Sequence, residues 1–151
     1  MPLGKPPMTN EGAYRAYMLT EFLRSTGERE FPMQLASALF FVMSHDGCRQ
    51  EDLIKATGMS PSSVSRCVSW LGAQHRLEHR SGLRVVRRER DPDDPKRWRL
   101  YLTPKGKQWL NLFDNQLSMP LEKAKAEFVS LSENRIRTYD PANDPDLGPG
   151  V

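Results

Sequence analysis

The sequence predicts a mainly α chain that carries one small β-hairpin, and three observations lead to that class. Apolar residues recur at helical spacing through most of residues 10 to 132. Gly58-Met59-Ser60-Pro61 reads as a tight joint between two short helices, since glycine suits a left-handed helix end and Ser-Pro suits a helix start. Beyond residue 83 the period drops from helical to two, on either side of a proline- and aspartate-rich turn. The 151 residues are the length of a single domain with one sizeable core, and 38% hydrophobic with 27% charged residues is an ordinary soluble composition.

The elements follow in order. Residues 1–9 and 138–151, rich in proline and glycine, read as flexible ends. Asn10 caps a first helix whose apolar side runs Tyr14, Tyr17, Met18 and Phe22, with Leu19 and Leu23 beside it, ending near Gly27. Pro32 suits the first turn of a second helix, apolar nearly all round from Leu35 to Met43 and so expected at the centre of the core; His45-Asp46-Gly47 stops it. Gln50 to Thr57 forms a short third helix, Gly58 its cap, and Ser60-Pro61 the cap and first residue of a fourth. A three-residue joint makes the two helices cross steeply, as in a helix-turn-helix. Along the fourth helix Val64, Cys67, Val68 and Leu71 make the buried stripe and leave Ser62, Ser63, Ser65, Arg66 and Ser69 outside. Leu83–Arg88 and Arg97–Leu102 read as strands flanking the turn Asp91-Pro92-Asp93-Asp94-Pro95, a hairpin with a basic outer face. Thr103-Pro104 caps a helix with Trp109, Leu110, Leu112, Phe113 and Leu117, and Pro120 kinks it or begins another with Leu121, Ala124, Phe128 and Leu131.

Charge is unevenly placed. Eleven of the 22 basic residues lie between Arg76 and Lys107 against five acids, a local net of +6 that leaves the rest of the +3 chain at −3. Such an asymmetry suits a surface that meets phosphates. The longest apolar stretch, nine residues, is about half of what a spanning helix needs, and the N-terminus does not continue into a secretory apolar run. A cytoplasmic protein with no membrane partner is therefore expected. Cys48 and Cys67, nineteen positions apart, and the scattered His45, His75 and His79 suggest neither a metal site nor a disulfide framework, and no cofactor is expected. Nor does any nucleophile elbow, P-loop, dinucleotide loop or paired carboxylate motif suggest an enzyme.

Helix, helix-turn-helix, basic hairpin and returning helix is the winged-helix order, and over residues 10–132 the chain resembles the MarR family of bacterial transcription regulators. Ser60-Pro61-Ser62-Ser63-Val64-Ser65-Arg66 resembles the start of that family's recognition helix. Asp91-Pro92-Asp93-Asp94, with Arg99-Leu100-Tyr101-Leu102-Thr103-Pro104-Lys105-Gly106, is similar to its wing-to-helix signature. The resemblance implies a homodimer joined through the N- and C-terminal helices (10–27 and 104–132), with the recognition helix and wing (50–102) on double-stranded DNA. Three departures stand out: Pro95-Lys96-Arg97 where the family has an arginine two residues after the second wing aspartate, His75 where its recognition helix ends in glycine, and a longer segment from Glu78 to Arg90.

Short hydroxyls beside one guanidinium can approach a groove closely, so Ser62, Ser63, Ser65, Arg66 and Ser69 are expected to read bases, with Arg88, Arg90, Lys96, Arg97 and Arg99 of the hairpin reaching phosphates or the minor groove. Asp94 would orient Lys96 or Arg97, because a carboxylate at the phosphates would be repelled. Tyr14, Tyr17, Met18, Phe22, Leu112, Phe113, Leu117, Leu121 and Phe128 offer more apolar surface than one small core needs, as expected of a homodimer interface. The expected activity is that of a homodimeric repressor at a palindromic operator. A ligand- or thiol-responsive sensor and a winged helix that binds a protein partner are the alternatives; Cys67 lies in the core stripe, and Cys48, beside Arg49, is the better thiolate candidate.

Overall fold

Helix caps set the element ends in the computed structural model, which describes residues 4, 6–26, 30–73 and 82–138, the last seven by backbone alone. Helix α1 (Glu11–Arg24) starts at Asn10, whose side chain accepts from the Ala13 N–H at 2.8 Å. Helix α2 (Met33–Ser44) is preceded by Pro32 in extended conformation, so this proline stands before the first helical residue instead of occupying it. Helix α3 (Gln50–Thr57) ends at Gly58, left-handed at φ 71°, and α4 (Pro61–Leu71) begins behind Ser60, which accepts from the Ser63 N–H. Strands β1 (Val86–Arg90) and β2 (Trp98–Leu102) pair antiparallel with Val86 opposite Leu102 and Arg90 opposite Trp98. Pro120 breaks the C-terminal region into α5 (Pro104–Ser118) and α6 (Leu121–Thr138). The result is a mainly α chain with one β-hairpin. No helix among the described residues is long and apolar enough to cross a membrane.

Two units are distinguished. In the first, residues 30–111, α2, α3 and α4 pack on one another and on the hairpin around Leu35, Leu39, Leu53, Val64, Leu71 and Leu100, all fully buried. The α2 helix buries one face only: Met33 is 84% exposed and Phe40 39%. In the second, α1 packs with the end of α5 and with α6. Phe22 meets Phe113 edge-on at 5.4 Å, and the Arg15 guanidinium donates to the carbonyls of Gln116 and Met119, both at 2.7 Å. A cation there satisfies carbonyls that the end of α5 leaves without helical partners.

The first strand departs from the sequence reading, which began it at Leu83. Gly82, Leu83, Arg84 and Val85 donate their N–H groups to the carbonyls of Ala73, Trp70, Gly72 and Leu71, which closes the end of α4. Arg84 takes φ 59°, and pairing with β2 begins only at Val86. Helix α4 therefore ends at Leu71 with Gly72 as its cap. At the C-terminus α6 continues to Thr138, past the expected end at residue 132. The readings at Gly27, at His75, over 78–81 and over the tail beyond residue 138 lie outside the described residues.

Candidate nucleic-acid interface

Helix α4 owes its orientation to its stripe: Val64, Cys67, Val68 and Leu71 are buried, so the opposite side faces out. Ser62 and Arg66 are exposed, while Ser63, Ser65 and Ser69 are half-buried. The N-terminal serines bond to one another. The Ser60 hydroxyl donates to Ser63 Oγ at 2.9 Å and lies 3.2 Å from Ser62 Oγ, and Arg66 donates to Ser63 Oγ at 3.2 Å. Spacing i, i+3, i+4, i+7 puts Ser62, Ser65, Arg66 and Ser69 on one stripe of the helix.

The hairpin divides its arginines between two faces. The register places Arg88 and Arg90 on the face of Trp98 and Leu100, with Arg87, Glu89, Arg99 and Tyr101 on the other, so no single basic outer face forms. Arg88 and Arg90 hold their guanidinium carbons 4.9 and 3.8 Å from the Trp98 ring centre. Cation–π contacts of this kind are worth about 0.5–1 kcal/mol at exposed positions. Arg87 stacks over Tyr101 and pairs with Glu89.

Asp91, which in the sequence reads as a turn former, fixes the hairpin. It is 1% exposed, and it accepts from Arg49 Nε at 2.8 Å and the Asp93 N–H at 2.9 Å, with Arg99 Nε at 3.4 Å. The Asp93 N–H holds its carboxyl below the usual carboxylate range and the two guanidinium groups add to that, against the opposing effect of burial. Arg99 also donates to the Gly47 carbonyl at 3.0 Å, while Arg97 donates to Asp94 at 2.9 Å and pairs with Glu51. Backbone bonds extend the attachment: Gly47 N–H to the Leu100 carbonyl and Leu100 N–H to the Cys48 carbonyl, both 2.7 Å. Arg97 and Arg99, expected at the DNA, are thus engaged with other groups of the chain itself, Arg97 at the surface. Among the described residues no carboxylate pairs with Arg66, Arg84, Arg88, Arg90 or Lys96. Arg49 and Asp91 escape a sequence reading because they lie 42 positions apart.

Between α4 and β1 lies an open groove of about 420 Å³. Ser69, Gly72, Arg84, Arg87, Arg88 and Trp98 are among its lining residues, and none of the described lining residues is a carboxylate.

Two further expectations change. Burial pushes the Cys48 thiol up to about 11, with Asp52 adding to the effect, and burial raises Cys67 too. The setting of Cys48 therefore favours the thiol over the thiolate: Arg49 turns its guanidinium to Asp91, and the carboxylates outweigh the nearby cation. Of the nine residues expected at a dimer interface, Met18, Phe22 and Phe113 belong to the core of the chain itself, because α1 closes on α5 and α6 of the same subunit. Tyr17 and Leu117 are exposed, and Tyr14, Leu112, Leu121 and Phe128 are half-buried.

No profile of a known protein family matches the chain, and no curated protein does. Solved structures do match. The crystal structure of the S. aureus MepR–DNA complex is 18% identical over 81% of this chain and 90% of that one, with a TM-score of 0.54. A point mutant of S. aureus MepR is 17% identical over 84% and 91%, with a TM-score of 0.50. The chain shares the winged-helix fold of S. aureus MepR. In winged-helix terms α3 and α4 are the helix-turn-helix, β1 and β2 the wing, and Asp91 the residue that seats the wing on the start of α3.

Proposed function

We propose that the protein is a sequence-specific, double-stranded-DNA-binding transcription regulator that acts as a homodimeric repressor. The observation that carries this reading is the outward stripe of α4, built of serines and one arginine, which runs at Ser69 into a groove whose described lining holds arginines and no carboxylate. S. aureus MepR, which shares the fold, has been crystallised with DNA, and this supports the reading. Arg66 would make the bidentate contact to a base, guanine being the usual partner of arginine, with Ser62, Ser63, Ser65 and Ser69 beside it. Arg88, Arg90 and Lys96 would supply phosphate or minor-groove contacts, and Asp91, Asp94, Arg97 and Arg99 would brace the wing. Tyr17, Leu117 and Val129, each about half exposed in the helical unit, support a homodimer.

Selection of bound sequences from a random duplex pool tests the reading. The expected product is a two-fold symmetric motif with half-sites about 10 bp apart, one turn of the duplex. A pool with no enriched motif would overturn sequence-specific binding, and a sedimentation mass of 17.3 kDa at micromolar concentration would overturn the dimer.

A further inference from the structure

Arg84 is, among the described residues, the single non-glycine residue with positive φ, at 59°. A left-handed backbone is disfavoured for an arginine, and glycine would adopt it without strain. Its surroundings hold it there. The Arg84 N–H donates to the Gly72 carbonyl at 2.8 Å, and its own carbonyl accepts from the Thr103 hydroxyl at 2.6 Å. Both bonds are made by the backbone and would be available to glycine, so neither needs the guanidinium. What the side chain does is line the groove between α4 and β1, beside Arg87 and Arg88. Arg87 is neutralised by Glu89 and Arg88 lies over Trp98, whereas no described carboxylate pairs with Arg84.

We propose that Arg84 is a DNA-contacting residue, and that with Arg88 and Ser69 it seats one phosphodiester of the strand passing between the recognition helix and the wing. The assignment rests on the DNA-binding reading above. Three features fit a nucleic-acid backbone: the groove is open, its described lining carries cations and hydroxyls without an acid, and it continues the stripe Ser62, Ser65, Arg66, Ser69. A phosphate reached from that stripe is held by charge and not by base identity, so Arg84 contributes affinity on every sequence.

The test uses Arg84→Gly, which removes the cation and keeps the backbone conformation, with Arg84→Lys retaining the charge. Binding of the full-length chain to one duplex is followed by fluorescence anisotropy over a KCl series, alongside urea unfolding of each variant. For Arg84→Gly the expected result is an unchanged or higher urea midpoint with a salt slope about 0.9 shallower per subunit, so that wild type loses roughly 3.5-fold more affinity per seat between about 50 and 200 mM salt. Arg84→Lys keeps most of the slope. Wild type that binds while Arg84→Gly shows the same slope and affinity overturns the seat alone and leaves Arg84 a turn residue. Wild type that binds no duplex overturns the DNA-binding reading and the seat with it.

Discussion

Gly106 connects the wing to the helix that follows, and its replacement by alanine tests that connection. The glycine lies in the first turn of α5 behind Thr103, whose hydroxyl accepts from the Gly106 N–H at 3.1 Å and donates to the Arg84 carbonyl at 2.6 Å. The Thr103 N–H donates to the Val85 carbonyl at 3.0 Å, and Lys105 Nζ reaches the Leu83 carbonyl at 2.8 Å. A Cβ at position 106 would stand 2.1 Å from the Val85 oxygen and 3.0 Å from its carbon, where ordinary contact starts at 3.4 Å. Both neighbours are backbone, so either the start of α5 or residues 83–85 must move by more than about an ångström. Overpacking of this size costs about 1–3 kcal/mol, and the hydrogen bond that must stretch adds about 0.5–1.5. The helical preference of alanine over glycine returns at most about 1 kcal/mol. The net expectation is a loss of about 0.5–4.5 kcal/mol, centred on about 2 kcal/mol or roughly 4–8 °C in Tm for a chain of this size. Gly12→Ala is the control: it is also in a helix's first turn, but its Cβ meets only Asn10 Oδ1 at 3.5 Å, so it should gain up to about 1 kcal/mol. Urea and thermal unfolding followed by circular dichroism measure both variants. If Gly106→Ala were as stable as wild type, the close seating of α5 on Val85 would be refuted.

Three other expectations follow from the interface. Arg66→Ala, on an exposed face, should leave Tm unchanged, cost roughly 1–3 kcal/mol of binding per half-site and relax preference at one base pair; a uniform loss on all sequences would make Arg66 a phosphate contact instead. Because the pKa of Asp91 is lower folded than unfolded, its ionised form stabilises the native state above the unfolded value of about 4, and that contribution fades as pH falls through the folded value. Urea midpoints of wild type and Asp91→Asn should therefore differ most near neutral pH and converge below about pH 4, whereas a constant gap would show that the charge is not what matters. With its thiol at about 11, Cys48 is roughly one-thousandth ionised at pH 8, so iodoacetamide should label the native protein at least about tenfold more slowly than free cysteine. Labelling at the free-cysteine rate would restore the thiol-sensor alternative.

What the sequence revealed was local. Asn10, Gly58 and Ser60-Pro61 act within a few residues of themselves, so a cap or a left-handed turn can be read from spacing alone, and the stripe Val64, Cys67, Val68, Leu71 states which side of α4 is buried. The wing was harder because its arrangement is long-range. Asp91-Pro92-Asp93-Asp94-Pro95 has the composition of a turn whether or not one aspartate is buried, and only Arg49, folded against it from the start of α3, distinguishes Asp91 from Asp93. Leu83-Arg84-Val85-Val86 alternates like a strand, yet its first three N–H groups go to the end of α4. No periodicity signals that choice. The apolar surplus assigned to a partner subunit was overcounted for a related reason: Phe22 and Phe113 satisfy each other within one chain, which their separate helical patterns do not reveal.

The same distinction resolves an apparent difficulty in the proposed function, that a chain of net charge +3 would bind a polyanion. Counting charges along the wing sets its acids against its cations, but the structure sorts them by position. Asp91, Asp94 and Glu51 pair with Arg49, Arg97 and Arg99 where the hairpin is attached, so these acids neutralise cations that hold the wing in place. Arg66, Arg84, Arg88, Arg90 and Lys96 have no such partner among the described residues, and they lie on α4, along the groove and toward the wing tip. Coulomb attraction to phosphate falls with distance and is screened beyond about 8–10 Å in salt, so a strand lying along α4 and the wing responds to those cations far more than to the chain's total. Asp91 and Asp94 thus act as supports of the wing: removing them would raise the net positive charge and loosen the hairpin that, in the proposed function, presents it.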